Sequence, residues 1–145
     1  MYQDEGISLK EAQKEINNLR SKINVATNLL GDDVDNIRIN YDDPNEIFFR
    51  DQYRLVYNKL KDILYFLEYL SKPVLVEDKL AQNIDGRYAF SNGVYLTSGS
   101  TCEILYDNDG EKNWILTTIE YQDGYYATAL GIDFNLDGKI ARMRG

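Results

Sequence analysis

The chain has 145 residues, of which 43% are hydrophobic and 28% are charged, and its formal net charge is −8. This composition is ordinary for a soluble protein of one domain or two small ones. The single cysteine excludes an internal disulfide, and the lack of histidine excludes every serine or cysteine nucleophile that needs an imidazole base.

The chain contains no apolar run that approaches the roughly 18 residues of a membrane span. Its N-terminal residues also lack the basic and apolar regions of a secretory signal. We therefore expect a cytoplasmic protein that does not bind a membrane.

Negative charge is concentrated in two segments. From Glu103 to Asp137 the only cation is Lys112, and from Asp32 to Glu46 it is Arg38. Because proteins bind nucleic acids mainly by neutralising phosphates with cations, we expect no direct nucleic-acid ligand here. An acidic surface favours a basic protein partner instead, or it serves only solubility.

Two helices are predicted in the N-terminal half, with apolar residues spaced alternately by three and four positions. The first begins with a capping box at Ser8 and Glu11 and stops at Gly31. The second begins at Pro44 and stops before Pro73. The apolar stripes, which we call seams, are Leu9, Ala12, Ile16, Leu19, Ile23, Ala26 and Leu30 in the first helix, and Phe49, Tyr53, Val56, Leu60, Ile63, Leu67 and Leu70 in the second.

We expect the two seams to pair as an antiparallel, coiled-coil-like helical hairpin over residues 1–73. The second helix also carries apolar residues off its seam, including Tyr57, Leu64 and Phe66. A helix that is apolar on two sides needs a cover on both. The second cover is either the C-terminal module or a second copy of the chain, so a homodimer stays open.

After Pro73 the apolar period changes to two, in short runs rich in β-branched and aromatic residues. Glycine-containing turns separate these runs, among them Asp123-Gly124 and Asp137-Gly138. The pattern predicts a small SH3-like antiparallel β-barrel or sheet over residues 74–145, and therefore an α+β protein.

A two-residue loop at Asp123-Gly124 would place Tyr121 opposite Tyr126. Ile119 and Tyr126 would then point inward, whereas the opposite face would display aromatic and polar side chains typical of protein interfaces. With the acidic loop, this face gives the predicted partner-binding residues Trp114, Thr118, Glu120, Tyr125, Asp107, Asp109 and Glu111. Trp114 could equally cover the barrel rim or pack on the second helix.

No catalytic residue, metal site or cofactor is predicted. Asp133, Asn135 and Asp137 have the spacing of a calcium loop, but Arg144 stands at the twelfth position, where the template needs a glutamate. We interpret this segment as a turn into the last strand.

Four segments resemble an uncharacterised family of small bacterial domains from Gram-positive organisms, their phages and conjugative elements. The segments are KPVLVEDKLAQNIDGRYAF, YLTSGSTCEILY, WILTTIEYQDGYY and GKIARMR. The resemblance covers roughly Lys72 to Arg144 and implies a compact β fold and a mobile-element setting. It implies no activity.

The sequence therefore predicts a non-enzymatic interaction protein of phage or mobile-element type. In its sharper form, the protein is an acidic inhibitor of a basic nucleic-acid-handling or defence factor. The alternative is an SH3-like module that binds nucleic acid through Arg142 and Arg144 of the last strand.

Overall fold

A computed structural model describes residues 5–145 as an α+β protein with two compact units. The helical unit ends at Ser71, and the β unit comprises Lys72–Gly145. No helix among residues 5–145 is both long enough and apolar enough to cross a lipid bilayer.

The helical unit contains α1, Leu9–Leu30, and α2, Pro44–Ser71, joined by a loop with a short 3₁₀ turn at Asp32–Val34. At the start of α1, the Ser8 hydroxyl accepts a hydrogen bond from the Glu11 amide at 3.1 Å. Gly31 ends the helix with a φ of 78°, which glycine adopts without steric cost. The predicted ends of both helices are therefore close to those observed.

The two helices contact each other, but not along both predicted seams. In α1 the C-terminal half of the seam is buried at Ile23, with Thr27 beside it. In α2 the buried side chains are Tyr57 and Leu64, which lie off the predicted seam. The buried face of α2 therefore lies at one edge of the predicted seam, where Leu60 and Leu67 are half-buried and the other five seam residues are exposed. An apolar pattern on two sides of a helix cannot show which side faces its neighbour.

The β unit has seven strands in two antiparallel sheets. The strands are β1 Val74–Lys79, β2 Ala81–Gln82, β3 Tyr88–Ala89, β4 Thr101–Asn108, β5 Glu111–Tyr121, β6 Tyr125–Ala127 and β7 Ile140–Arg144. The larger sheet has the strand order β1-β7-β4-β5-β6, and β2 pairs with β3 in a separate two-stranded sheet.

Neither sheet closes on itself within residues 5–145, so the SH3-like barrel is not confirmed. β1 was not predicted as a strand, because Glu77, Asp78 and Lys79 interrupt its apolar run. At the edge of the sheet, β1 needs to pair only with β7, and such strands tolerate charged side chains. The run GVYLT, one of the short runs with an apolar period of two, makes a single isolated bridge, from Tyr95 to Ala89.

One hydrophobic core lies within the β unit. Leu80, Leu96 and Leu136 lie outside the strands and are almost fully buried in it, so the loops cover the inner face of the sheet. The other buried members are Phe90, Cys102, Ile104, Ile119, Ala127 and Ala141. The core of this unit therefore consists of residues from the C-terminal half of the chain alone.

Candidate functional site

The turn between β5 and β6 determines which aromatic side chains face outward. Tyr121 pairs with Tyr125 and Ile119 pairs with Ala127, so the loop has three residues instead of two. Cross-strand partners share a face, and a shift of one residue inverts every side chain of a strand. Tyr125 therefore lies on the core side with Ile119, and the prediction that it shares an outer face with Trp114 was wrong. Tyr126, predicted inward, lies on the outer face opposite Glu120.

Trp114 lies on the outer face of the sheet, where it packs against Arg142. The Arg142 guanidinium carbon is 4.1 Å from the centre of the Trp114 ring, and the tryptophan is half-buried. Arg142 also donates a hydrogen bond to a carboxylate oxygen of Glu103 at 2.8 Å. The ring is thus held in place by a cation–π contact within the β unit.

Glu103 is a buried carboxylate that both C-terminal arginines bind. Its side chain is 8% exposed, and its second oxygen accepts a hydrogen bond from Arg144 at 2.9 Å. Arg144 also donates to the backbone oxygen of Lys72 at 3.0 Å. The two cations that the nucleic-acid alternative requires therefore have intramolecular partners in the β unit.

Thr118 and Glu120 remain on the outer face as predicted from strand alternation. The hydroxyl groups of Thr118 and Thr128 lie 2.9 Å apart and form a hydrogen bond. Glu120 is exposed. These two residues lie near the β6 end of the strand, away from the acidic hairpin.

Asp107, Asp109 and Glu111 lie at the tip of the β4–β5 hairpin and are all exposed. Asp109 has a φ of 53°, and the Asp107 carboxylate accepts a hydrogen bond from the Gly110 amide at 2.8 Å. Asp107 therefore stabilises the turn. The eleven residues of β5 separate this tip from Tyr125, roughly 33 Å along an extended strand. The predicted partner-binding residues thus lie in three separate places: the outer face of the sheet, the tip of the β4–β5 hairpin and, for Tyr125, the core side of the sheet.

At the β6 end, the structure forms a cleft of about 320 Å³ that the sequence did not reveal. Three short segments meet there: the β2–β3 pair, the β5–β6 turn, and the loop that follows β6. The side chains that characterise the cleft are the rings of Tyr88, Tyr125, Tyr126 and Phe134 and the carboxylates of Asp123 and Asp133.

The lining of this cleft contains aromatic, amide and acidic groups and no lysine or arginine. Within residues 5–145, neither Asp123 nor Asp133 has a side-chain hydrogen bond or ion pair, and both are exposed. Tyr125 is held from outside the cleft by Tyr121, with ring centres 5.0 Å apart, and by Arg87, 5.3 Å from its ring centre. The cleft therefore combines fixed π faces with unpaired carboxylates.

Two groups near the sheet have perturbed pKa values, and neither lines the cleft. Burial, and then the negative charge of Glu103, raise the pKa of Cys102 to about 12, so the thiol stays protonated near neutral pH. The hydrogen bond from the Ser91 hydroxyl is the main cause that lowers the pKa of Asp78. Both groups have structural roles, in the core and at the edge of the sheet.

The segment with calcium-loop spacing forms a turn before β7. The Asn135 side chain accepts a hydrogen bond from the Asp137 amide at 3.0 Å, and Leu136 between them is buried in the core. In the part of the chain from residue 5 onward, no group of three or more acidic or cysteine side chains is arranged to hold a metal ion.

The cleft could not have been found from spacing alone, because its residues come from segments that are adjacent only after folding. Asp123 was interpreted as a turn residue and Asp133 as the first position of the calcium-loop pattern. The one sequence signal was the recurrence of tyrosines beside acidic and amide residues in QDGYY and IDFN.

Comparison with known families shows one match. The model of a family described as "Domain of unknown function (DUF5348)" matches residues 75–143, which include every residue of the cleft and exclude both helices. The C-terminal half therefore corresponds to an uncharacterised family of small domains, as the resemblance indicated. No curated protein and no solved structure matches the chain.

Proposed function

We propose that the protein is a non-enzymatic interaction module whose β unit binds a lysine or arginine side chain of a basic protein partner. The observation that supports this function is the cleft at the β6 end, which is lined by four aromatic rings and two unpaired carboxylates. It lies within the segment that matches the family of unknown function. The proposed setting remains a phage or another mobile element of Gram-positive bacteria, on the strength of the family resemblance alone.

The chemistry of the cleft favours a cation. An ammonium or guanidinium group gains from the faces of tyrosine and phenylalanine rings, and more when carboxylates are nearby. Asp123 and Asp133 provide such carboxylates, while Tyr88 and Tyr126 provide ring surface. The Phe134 ring already has the Lys139 ammonium 5.4 Å from its centre. A phosphate would meet only negative and neutral groups in this lining, so the cleft is unsuited to a nucleic-acid backbone.

The acidic hairpin tip has a supporting role in this proposal. Asp107, Asp109 and Glu111 lie away from the cleft, but they add to the net charge of −8. A negative field steers a basic partner toward the surface and raises the association rate. The partner is, in the proposed inhibitor role, a nucleic-acid-handling or defence factor whose basic surface the protein covers.

Binding to an array of short peptides tests the proposal. Each peptide contains one central lysine or arginine, and its matched control has glutamine there. We expect the cationic peptides to bind the full-length chain and the controls to bind at least tenfold more weakly. We expect the double variant Asp123→Asn, Asp133→Asn to weaken binding by about tenfold to a hundredfold. This change corresponds to a loss of about 1.4–2.8 kcal/mol of binding free energy.

The hairpin variant Asp107→Asn, Asp109→Asn, Glu111→Gln is the matched control, because it removes a similar number of charges elsewhere on the same unit. It should alter the salt dependence of the association rate and leave the dissociation rate unchanged. If the hairpin variant abolishes binding and the cleft variant does not, the cleft is the wrong site. If no cationic peptide binds, the proposed function is wrong.

The nucleic-acid alternative has its own measurement on the same protein. Duplex DNA and single-stranded RNA are titrated at low salt, where contacts between cations and phosphates are strongest. Binding that weakens steeply with salt and is lost in Arg142→Gln would favour that alternative over a cleft that binds cations.

A further inference from the structure

One side of α2 carries an apolar stripe that the helical unit does not cover. Phe49, Val56, Ile63 and Leu70 recur every seven residues, with Phe48 and Phe66 beside them. These six side chains are 46% to 55% exposed, although Tyr57 and Leu64, which follow Val56 and Ile63 about 100° further around the same helix, are buried. We call these six residues the heptad stripe.

The period of the heptad stripe indicates the shape of what covers it. Apolar residues that recur every seven positions stay in line only along a second helix that coils around the first. The heptad stripe begins at Phe48 and Phe49 and ends at Leu70. This distance is about 32 Å along the helix axis at 1.5 Å per residue. The cover is therefore a helix of similar length with an apolar stripe of its own.

The α2 helix of a second copy meets both requirements, because it carries the same stripe over the same length. The charges near the middle of the stripe also favour this pairing. Lys59 lies within the stripe, one turn after Val56, and Asp62 lies one turn further on at the edge of the stripe; the two residues are on either side of the midpoint between Phe49 and Leu70. In an antiparallel pair, a two-fold axis near that midpoint places Lys59 of each copy beside Asp62 of the other.

The surface available is of the right order for a stable dimer. Six half-exposed side chains of roughly 150–200 Å² leave about 500 Å² of apolar surface per copy, before the surrounding helix surface is added. Stable interfaces bury about 800 Å² per partner. The helical unit also needs such a contact, since its well-buried side chains among residues 5–71 are only Ile23, Thr27, Val34, Tyr57 and Leu64.

We propose that the protein forms a homodimer in which the α2 helices of two copies pair antiparallel along the heptad stripe. The α1 helices flank this pair, so the assembly is a four-helix bundle. The dimer presents two β units, and two weak sites for cations on one assembly bind a partner with two basic segments more tightly than one site does. The dimer itself does not depend on the function of the cleft.

Light scattering of the full-length chain at about 100 μM, coupled to size exclusion, measures the assembly directly. We expect twice the chain mass of 16.8 kDa, that is 2 × 16.8 = 33.6 kDa. The charge reversals Lys59→Glu and Asp62→Lys should each weaken the homodimer at least tenfold, because each sets two like charges together. A mixture of these two variants should restore a dimer, because every cross-contact in the mixed pair joins opposite charges.

Three further variants make the result decisive. Ile63→Asp places a charge of each copy in the stripe and should yield a monomer. Lys61 is two residues before Ile63 and lies outside the stripe, so Lys61→Glu should leave the dimer intact. The double variant Lys59→Glu, Asp62→Lys should form a homodimer again, which excludes simple unfolding as the cause of the single-variant effects.

Several results would overturn the proposal. A wild-type mass of 16.8 kDa at this concentration would mean that the stripe is covered within one copy or by another protein. A dimer that persists in Ile63→Asp and in both charge reversals would use a different surface. A trimer or a larger assembly would exclude the two-fold arrangement.

Discussion

Glu103 is the residue around which the outer face of the sheet is organised. The whole residue, backbone included, is 6% exposed, and its carboxylate accepts hydrogen bonds from the guanidinium groups of Arg142 and Arg144. Arg142 in turn covers the ring of Trp114. A buried carboxylate is costly unless it is paired and hydrogen-bonded, and here two cations from β7 satisfy it. The arginines that suggested a nucleic-acid surface in the sequence are therefore explained by packing within the unit.

The change Glu103→Gln should destabilise the β unit by about 2–4 kcal/mol. Removing one partner of a buried ion pair commonly costs about 3–5 kcal/mol, and the arginines here retain 19% exposure, which reduces the cost. Urea unfolding followed by the fluorescence of Trp114, the only tryptophan, measures the change. The control is Glu120→Gln on the same face, where an exposed carboxylate should alter stability by less than about 0.5 kcal/mol. Equal stability of Glu103→Gln and the wild type would contradict the role given to this carboxylate.

Among the elements of the fold, the β5–β6 turn had the greatest effect on the site. An additional loop residue, Gln122, moves the pairing from Tyr121–Tyr126 to Tyr121–Tyr125. Asp123 adopts a φ of 55° and Gly124 a φ of 140°, so both turn residues lie outside the conformations most side chains prefer. The turn places the Asp123 carboxylate at the cleft and Tyr125 on the core side.

This backbone conformation predicts different results for two substitutions at Asp123. Asn adopts positive φ readily, so Asp123→Asn should alter stability by less than about 0.5 kcal/mol. Val is β-branched and strained there, so Asp123→Val should cost about 1–2 kcal/mol in the same urea experiment. Asp133→Val is the matched control across the cleft, since Asp133 has no positive φ. Similar costs for Val at both positions would show that turn strain is not the cause.

For the whole molecule, the two units differ in how much of their apolar surface they bury. The β unit has a core of nine buried side chains, from Leu80 to Ala141. The helical unit leaves the heptad stripe exposed, and its N-terminal seam residues Leu9, Ile16 and Leu19 are exposed as well. A compact core supports independent folding, whereas isolated helices gain most of their stability from packing.

We expect a fragment of residues 72–145 to fold on its own, with an unfolding free energy within about 1 kcal/mol of that of the β unit in the full chain. Trp114 fluorescence in urea compares the two directly. A fragment of residues 1–71 should lose its helical circular dichroism signal when it is diluted below the concentration at which it dimerises, because its stability depends on association. An unfolded 72–145 fragment, or a helical fragment insensitive to dilution, would contradict this division of stability.

The sequence alone determined the features that depend on local chemistry. The capping residue Ser8, Pro44 at the first helical position and the stop at Gly31 predicted the helix ends, and the change of apolar period after Pro73 predicted the α+β order. The C-terminal resemblance agreed with the match at residues 75–143. The spacing of apolar residues and the backbone preferences of capping and turn residues depend on residues that are close in sequence, so they can be recognised without the fold.

Only the tertiary structure decided which faces meet. It showed that α2 turns Tyr57 and Leu64 toward the helical core, that Tyr125 faces the sheet core, and that Asp123 and Asp133 meet at one cleft. A helix apolar on two sides has two equivalent choices, and a strand shifted by one residue exposes the opposite set of side chains. Such choices depend on contacts between residues distant in sequence, so the local pattern could not contain them.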